Sequence, residues 1–199
     1  MNLNPFRYFR APSRETTQEV MRTLLWAGAA ALLIRTFLFA PFMIPSGSMR
    51  PTLIEGDRIL VNKIVYGVRV PFTGQRLLKF SKPRRGDIIV FRSPDKTKDY
   101  IKRLVAVGGD TLEIKNARLW VNGRPVDDPP IFLERVYYNR GAFGRAGQPF
   151  HVPEGELFFM GDNSGSSKDS RYFGSVSERH VVGRTFLIMW PLKRIRYFR

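Results

Sequence analysis

Apolar residues are densest near the N-terminus, in the stretch TLLWAGAAALLIRTFLFAPFMI from Thr23 to Ile44. About 20 apolar residues span the core of a bilayer. Arg35 is the one charged residue in the stretch, and its long side chain can reach the membrane interface. The pattern therefore predicts a transmembrane anchor over residues 18–41. A buried core helix is the alternative that the pattern leaves open.

Two features indicate whether the anchor is cleaved and how it is oriented: the end of the apolar run and the polar segment 1–17. A signal peptide that is cut off ends in a small-x-small motif, whereas here Ala40 is followed by a proline. We therefore expect an uncleaved anchor. The segment before it is basic, with Arg7, Arg10 and Arg14. By the positive-inside rule, the N-terminus is predicted to be cytoplasmic.

From residue 57 onward, the pattern changes to short runs of β-branched and aromatic residues that end at Gly, Pro or Asp. Such runs predict strands and a mainly β fold. Asn116-Ala117 and Asn122-Gly123 predict hairpin turns, and residues 125–153 predict an irregular excursion. The predicted strand segments are DRILVNKIVYGVRV, GDIIVFRS, DYIKRLVAV, TLEIKNARLWVNGRPV, GELFFMGDN and VVGRTFLIMW.

The charge balance narrows the choice of partners. The chain has 199 residues, with 33 Lys and Arg against 17 Asp and Glu, and a net charge of +16. Strongly basic chains bind anionic membranes or nucleic acid. No helix-turn-helix pattern and no zinc-ligand spacing occurs, so we predict no nucleic-acid partner. Cysteine is absent, which excludes disulfides and thiolate chemistry.

The segment IPSGSMRPTL follows the apolar run at once and presents Ser46 and Ser48 in a tight turn. A serine nucleophile needs a base. The two histidines, His151 and His180, lie in segments without a nearby Asp or Ser constellation. A histidine triad therefore has little support, and the known alternative is a Ser–Lys pair.

Lys102 is the best candidate for such a base. If DYIKRLVAV forms a strand, Lys102 shares one face with Tyr100, Leu104 and Ala106, while Arg103 points to the other face. Burial can lower the pKa of a lysine from about 10.4 to about 8, at a cost of roughly 3 kcal/mol. A solvated lysine, with its stem along the sheet, stays open as the alternative.

The segment GDNSGSSKDSRYFG, Gly161 to Gly174, is dense in hydroxyl and carboxyl side chains. It is not an EF-hand loop, because Phe173 occupies the twelfth position, where a bidentate Glu is required. Asp169 and Arg171 can form an ion pair that stiffens the loop. A hydroxyl such as that of Ser167 can orient an amine.

In this order behind an anchor, the segments IPSGSMRPTL, DYIKRLVAVGGD and GDNSGSSKDSRYFG closely resemble bacterial type I signal peptidases, the leader peptidases. The resemblance covers nearly the whole chain. It implies that Ser48 attacks the peptide carbonyl and that Lys102 is the general base. The oxyanion hole would be formed by the Ser46 hydroxyl and the Ser48 backbone N–H. No metal and no cofactor are implied.

The resemblance also assigns the surrounding residues. Ser167 would hold the lysine, and Asp169 and Arg171 would brace the site. One departure stands in the last block, where Ser164-Gly165-Ser166 replaces the Arg-Asp-Asn that is common in the family. The pockets for small substrate side chains would be formed by Phe42, Ile44, Pro45, Met49, Leu53, Tyr100 and Ile101.

Pattern and resemblance together divide the chain. After the basic segment 1–17 and the anchor 18–41, we predict an antiparallel β-sheet catalytic core over residues 42–106 and 158–199. A small β lobe, residues 107–157, is inserted into it.

The resulting hypothesis is a membrane-bound serine endopeptidase that removes signal peptides from exported preproteins after small-x-small motifs. It would be a single-pass protein of the bacterial inner membrane, with its catalytic domain on the outer, periplasmic face. Its partners would be preproteins and the lipid bilayer. Two alternatives remain at this point. One is a self-cleaving Ser/Lys protease, and the other is a membrane-tethered basic β-domain that binds anionic lipid or nucleic acid.

Overall fold

The structure is a computed structural model, and it describes residues 14–69, 76–78, 80–95 and 97–198. Most of the predicted basic segment 1–17 lies outside the described residues. The same holds for Val70, the last residue of one predicted strand run. The chain forms two compact units, residues 1–36 and residues 37–199, and each is described by itself.

The first unit is dominated by helix α1, Arg14–Leu33, which continues as a π-helical turn, Ile34–Leu38. Its alanines and leucines are strong helix formers. The segment Thr16–Leu38 is long and apolar enough to cross a membrane, with a mean hydropathy of 1.3. A single helix of this kind near an N-terminus also occurs in signal sequences, so length and composition make it a candidate span only.

The helical segment ends at Leu38, three residues before the predicted anchor boundary at residue 41, and strand β1, Phe39–Met43, follows directly. Pro41 lies within this strand, opposite Leu60. Proline cannot donate the hydrogen bond that a helix interior requires, but an edge strand tolerates it. Strand β1 is such an edge. The β unit therefore begins a few residues before the predicted position 42.

The second unit is mainly β, as predicted, and its strands pair antiparallel. The eight-stranded main sheet has the order β1-β2-β13-β5-β6-β11-β12, with β14 paired to β13. Neighbouring strands in this sheet come from distant parts of the chain, so the sheet brings the three predicted site segments together. Its other strands are β2 Arg58–Asn62, β5 Ile88–Arg92, β6 Asp99–Val107, β11 Glu156–Met160, β12 Val176–Ser177, β13 Val181–Trp190 and β14 Arg196–Tyr197.

Between β6 and β11 the chain forms a separate four-stranded sheet, with the order β10-β7-β8-β9. Asn116 and Ala117 have positive φ angles of 52° and 58° at the β7–β8 turn, as a type I′ hairpin requires. The predicted hairpin is thus confirmed. The strands are β7 Thr111–Lys115, β8 Arg118–Val121, β9 Arg124–Pro125 and β10 Phe150–His151.

The remaining elements are short. A two-stranded sheet, β3 Val68–Arg69 and β4 Arg76–Leu78, lies between β2 and β5 in the chain, and helix α2, Ser170–Phe173, follows β11. Apolar clusters fill the unit. One lies beneath the segment after β1 and contains Met49, Leu53 and Ile59. These buried side chains hold that segment against the main sheet.

Candidate active site

The predicted nucleophile lies in a single 3₁₀ turn, Gly47–Met49, between β1 and β2. Met49 and Leu53 on its inner side are almost fully buried. The amide of Ile44 donates to Asp57 O at 2.9 Å and closes the base of the loop. Because both sides are anchored, Ser48 between them has a defined place at the edge of the apolar cluster.

Ser48 and Lys102 meet across the fold. Lys102 Nζ donates to Ser48 Oγ at 2.6 Å and to the carbonyl oxygen of Ile101 at 3.1 Å. Ser46 Oγ lies 3.5 Å from Ser48 Oγ on the exposed side of the turn. When the amine is neutral, the Ser48 hydroxyl becomes the donor and the amine the acceptor. This is the arrangement that a general base needs.

Lys102 is buried, with 4% of its surface exposed. It lies opposite Ile89 on the neighbouring strand β5, and its Nζ is 5.4 Å from the centre of the Tyr100 ring. Burial lowers the pKa of Lys102 to about 8, a shift that the nearby carboxylates of Asp169 and Asp162 oppose. The solvated-lysine alternative is therefore wrong, and a useful fraction of the amine is neutral near pH 8.

Asp169 and Arg171 form the predicted ion pair beside the lysine. The guanidinium donates from Nε to Asp169 Oδ1 at 2.7 Å and from Nη2 to Asp169 Oδ2 at 2.8 Å. Both side chains are buried. Asp169 Oδ2 also accepts from the amide of Gly161 at 3.0 Å. A bidentate, buried pair of this kind holds its loop in one geometry.

Ser167 is the residue predicted to orient the lysine. It is buried, and its Oγ forms no hydrogen bond with any described residue. The predicted bond to Lys102 is therefore not formed in this structure, because the amine donates to Ser48 and to Ile101 O instead. The assignment of Ser167 as the lysine-orienting residue stays a prediction.

The predicted pocket residues fall into two groups. Five of them share one apolar cluster, namely Phe42, Ile44, Met49, Leu53 and Ile101. Tyr100 packs in the neighbouring cluster, and Pro45 is exposed. Two open clefts, of about 520 and 410 Å³, lie at the inserted lobe. Neither cleft is lined by Ser48 or Lys102, so the clefts do not coincide with the predicted site.

Comparison with known proteins identifies the family. Residues 17–190 match the family described as signal peptidase, peptidase S26. The chain belongs to this signal peptidase family. It is 38% identical over 194 residues to signal peptidase I of Pseudomonas aeruginosa, covering 80% of this chain and 68% of that protein. It is 35% identical over 180 residues to signal peptidase I P of Bacillus subtilis subsp. natto, covering 89% of this chain and 91% of that protein.

A solved structure of signal peptidase I from Enterococcus faecalis V583 matches 53% of this chain and 98% of that one, at 34% identity and a TM-score of 0.42. Family membership confirms the predicted enzyme class: the chain is a signal peptidase, a serine endopeptidase that acts on preproteins bearing signal peptides. The alternative of a basic domain that only binds lipid or nucleic acid is wrong. The chain has one N-terminal apolar helix that is long enough to span a membrane.

Asn163 belongs to the site of this signal peptidase, although the sequence pattern did not indicate it. Its amide donates to Ser48 O at 3.0 Å, and its side-chain Nδ2 donates to Gly47 O at 3.1 Å. The last block of the chain thereby holds the nucleophile turn by two bonds. A lone Asn in a loop carries no signal for such a contact, because its partners are backbone oxygens more than a hundred residues away.

Arg103 is the second residue whose role the sequence pattern did not indicate. It is buried, and it donates from Nε to Asp162 Oδ1 at 2.7 Å and from Nη2 to Asp162 Oδ2 at 2.6 Å. Thr52 Oγ1 donates to the same carboxylate. A charged residue inside an apolar strand was the available signal, since a buried charge needs a partner. The pair joins β6, the strand that carries Lys102, to the last block.

No set of three or more His, Cys, Asp or Glu side chains within the described residues is arranged as a metal site would require. The chemistry at the site can be supplied by hydroxyl, amine and backbone groups alone.

Gly161 is expected to be irreplaceable in this signal peptidase. A Cβ on its backbone would overlap both Ser167 Oγ and the Ser48 carbonyl oxygen. Gly161→Ala should therefore displace the nucleophile turn and lower the rate of preprotein cleavage about 100-fold. The matched control is Gly165→Ala, whose Cβ would lie 4.0 Å from its nearest neighbour, Tyr138 Cδ2. Wild-type cleavage rates in Gly161→Ala would contradict this tight contact.

Proposed function

We propose that the chain is a membrane-tethered Ser/Lys signal peptidase in which Ser48 is the nucleophile and Lys102 the general base. The observation that carries the proposal is the 2.6 Å contact between Ser48 Oγ and a buried Lys102 Nζ. A serine hydroxyl is a weak nucleophile unless a neighbouring base accepts its proton. Burial makes the amine such a base, because it lowers the pKa of Lys102 to about 8.

The reaction is acyl transfer. Neutral Lys102 accepts the hydroxyl proton as Ser48 Oγ attacks the scissile carbonyl carbon. When the tetrahedral intermediate collapses, the carbon–nitrogen bond breaks, and the Lys102 ammonium returns the proton to the leaving amine. A water molecule, deprotonated by Lys102 in turn, then attacks the acyl carbon. The ester bond to Ser48 Oγ breaks, the Lys102 ammonium returns the proton to this oxygen, and the signal peptide leaves with a free carboxylate.

The oxyanion of the intermediate is proposed to be bound by the Ser46 hydroxyl and the Ser48 backbone N–H. Support comes from the position of Ser46 Oγ, 3.5 Å from Ser48 Oγ on the exposed side of the turn. One well-placed donor to an oxyanion contributes about 3–4 kcal/mol. The bracing of the turn by Asn163 from behind leaves this side free to face a substrate.

We propose cleavage after small-x-small motifs, with the pockets formed by the apolar residues around the turn. Ile44, Met49, Leu53 and Ile101 are packed in one cluster with Phe42. In the proposed pockets, the large side chains beside the nucleophile admit methyl-sized groups and exclude larger ones. Pro45 and Tyr100 complete the proposed rim.

We propose that α1 tethers the enzyme to the lipid bilayer as a single span. Every side chain from residue 16 to residue 36 is exposed, and Leu25 and Trp26 are each 70% exposed. An apolar helix that exposes all its faces has to bury them in lipid or against a partner. By the positive-inside rule the N-terminus is cytoplasmic, and the catalytic unit faces the periplasm of a bacterial inner membrane.

A patch on the β unit supports action at a bilayer surface. Met43 and Trp190 lie on either side of Arg58 in adjacent strands, and both are exposed. Leu192 and Tyr197, which follow β13 in the chain, are also exposed. Aromatic and aliphatic groups mixed with arginines are typical of side chains at a membrane interface. No nucleic-acid partner is part of the proposal.

The proposal can be tested with the full chain reconstituted in vesicles that contain anionic lipid. We expect a preprotein with an Ala-x-Ala motif to be cut at the bond after the second alanine. A serine-directed acylating reagent should block this cleavage and label Ser48 in the peptide that also contains Ser46. Cleavage that persists after complete labelling, or a label on Ser46, would contradict the assignment. Cleavage confined to the enzyme's own chain would favour a self-cleaving protease.

A further inference from the structure

The Ser164 hydroxyl forms every hydrogen bond that a hydroxyl can make. It accepts from the amide of Tyr138 at 2.9 Å and from Arg171 Nη1 at 2.9 Å, and it donates to the carbonyl oxygen of Tyr138 at 3.2 Å. A hydroxyl has one donor and two acceptor positions. Ser164 is buried, whereas Gly165 and Ser166 beside it are exposed. The Ser164 side chain is therefore buried and uses all its hydrogen-bonding positions, although the loop beside it is exposed to solvent.

The inserted lobe contacts Arg171 at both its side chain and its backbone. Arg171 Nη1 donates to Tyr138 O, and the amide of Phe143 donates to Arg171 O at 3.1 Å. Gly141 lies against the same carbonyl oxygen so closely that a Cβ there would overlap it. Residues 138–143 of the lobe thus fix Arg171, and Ser164 is bonded to both partners.

From Arg171 the contacts lead directly to the reacting groups. Its Nη2 donates to Asp169 Oδ2 at 2.8 Å and to Ser167 O at 3.3 Å. The Asp169 carboxylate accepts from the amide of Gly161, whose α-carbon lies against the Ser48 carbonyl oxygen. A displacement of the Arg171 guanidinium is therefore expected to displace the turn that contains Ser48, because Asp169 and Gly161 contact both.

We propose that Ser164 is a positioning residue of the cleavage reaction, which orients Arg171 and so connects the inserted lobe to the nucleophile turn. The inference rests on the proposed function of Ser48 and Lys102. It assigns a role to the position at which this chain departs from the Arg-Asp-Asn of its family. At this position the Ser164 hydroxyl accepts from Arg171 and bonds to the amide and the carbonyl oxygen of Tyr138, so it links the last block to the inserted lobe.

The first test compares Ser164→Ala with Ser166→Ala in the full chain, reconstituted in vesicles, on the same preprotein. Ser166 is exposed, so its variant should cleave at the wild-type rate. In Ser164→Ala we expect kcat to fall between about 10- and 100-fold, because small misplacements of catalytic groups have effects of this size. KM should change by less than about twofold, because Ser164 does not line the substrate pockets. An unchanged kcat would overturn the proposal.

A double-mutant cycle with Arg171→Lys separates positioning from a general loss of stability. Lysine keeps the charge but lacks the planar fork of arginine. If Ser164 acts through Arg171, adding Ser164→Ala to Arg171→Lys should lower kcat by no more than about twofold. A further loss as large as in the wild-type background would overturn the proposal.

Two further variants separate the positioning role of Ser164 from misfolding and from failure of the proposed function. If Ser164→Ala does not fold, Ser164→Thr, which retains the oxygen, should fold and keep kcat. A folded threonine variant with a large loss of kcat, or no folded variant at all, would overturn the positioning role. Ser48→Ala distinguishes the two levels of the proposal. If it stays active, the proposed function fails, and if only Ser164→Ala behaves as wild type, this inference alone fails.

Discussion

Replacing Lys102 with methionine is expected to lower kcat/KM for preprotein cleavage by about 1,000-fold or more, since general bases contribute up to about 10⁴-fold. Methionine is unbranched and apolar, so it suits the buried position between Tyr100 and Ile89. The fold should be retained, because a buried amine, which is costly to desolvate, is exchanged for an apolar side chain that needs no hydrogen-bond partner. The measurement is steady-state kinetics on a preprotein, with circular dichroism to verify folding.

The pH profile shows whether the loss comes from the base itself. Because burial lowers the pKa of Lys102 to about 8 and the neutral amine is the active form, kcat/KM of the wild type should rise as pH increases through about 8. The residual activity of Lys102→Met should lack this rise. Ser48→Ala should cause a similar loss, and the double variant should lose little more, because the two residues act as one unit. Full additivity would contradict the dyad.

Replacing Arg103 with methionine is expected to lower the free energy of unfolding by about 3–5 kcal/mol, the usual cost of breaking a buried ion pair. Arg103 and Asp162 have side chains that are 8% and 1% exposed, with a shortest contact of 2.6 Å. Without the guanidinium, the buried carboxylate keeps the Thr52 hydroxyl as a partner but loses the charge with which it is paired. Urea unfolding of the full chain in detergent, followed by tryptophan fluorescence, measures the change.

An exposed ion pair between β5 and β6 provides the control. Arg92 and Asp99 are in contact at 3.3 Å, and their side chains are 55% and 28% exposed. Arg92→Ala should therefore change the free energy of unfolding by less than about 1 kcal/mol. If Arg103→Met and Arg92→Ala changed the free energy of unfolding equally, the buried Arg103–Asp162 pair would be no more important for stability than the exposed pair, contrary to our expectation.

The strand and turn predictions succeeded where short-range rules decide the structure. Runs such as GDIIVFRS and DYIKRLVAV became β5 and β6, because β-branched and aromatic side chains fit a buried pleated surface. The β7–β8 turn formed at Asn116-Ala117, since asparagine tolerates a positive φ. The predicted anchor extends past the end of the helical segment because apolar character continues beyond Leu38, and hydropathy does not distinguish a helix from an apolar edge strand.

The sequence predicts which residues form the candidate site, but it does not predict their distances or what surrounds them. Ser48 and Lys102 were identified from the three blocks and their order, and the tertiary structure then brought these two side chains to 2.6 Å. The environment of Lys102 was left open by the strand pattern, because alternation shows which face a residue takes but not what covers that face. The covering groups come from β5 and from the last block, which are distant along the chain.

By itself, the sequence determined the apolar N-terminal helix, the β-rich remainder, the main hairpin and the blocks that carry the chemistry, because each depends on neighbours within a few residues. Only the tertiary structure decided the partner of Arg103, the hold of Asn163 on the nucleophile turn, the unbonded hydroxyl of Ser167 and the junction at Ser164. These depend on hydrogen bonds between loops and strands far apart in the chain. Such bonds follow from how the sheet pairs, which no local pattern encodes.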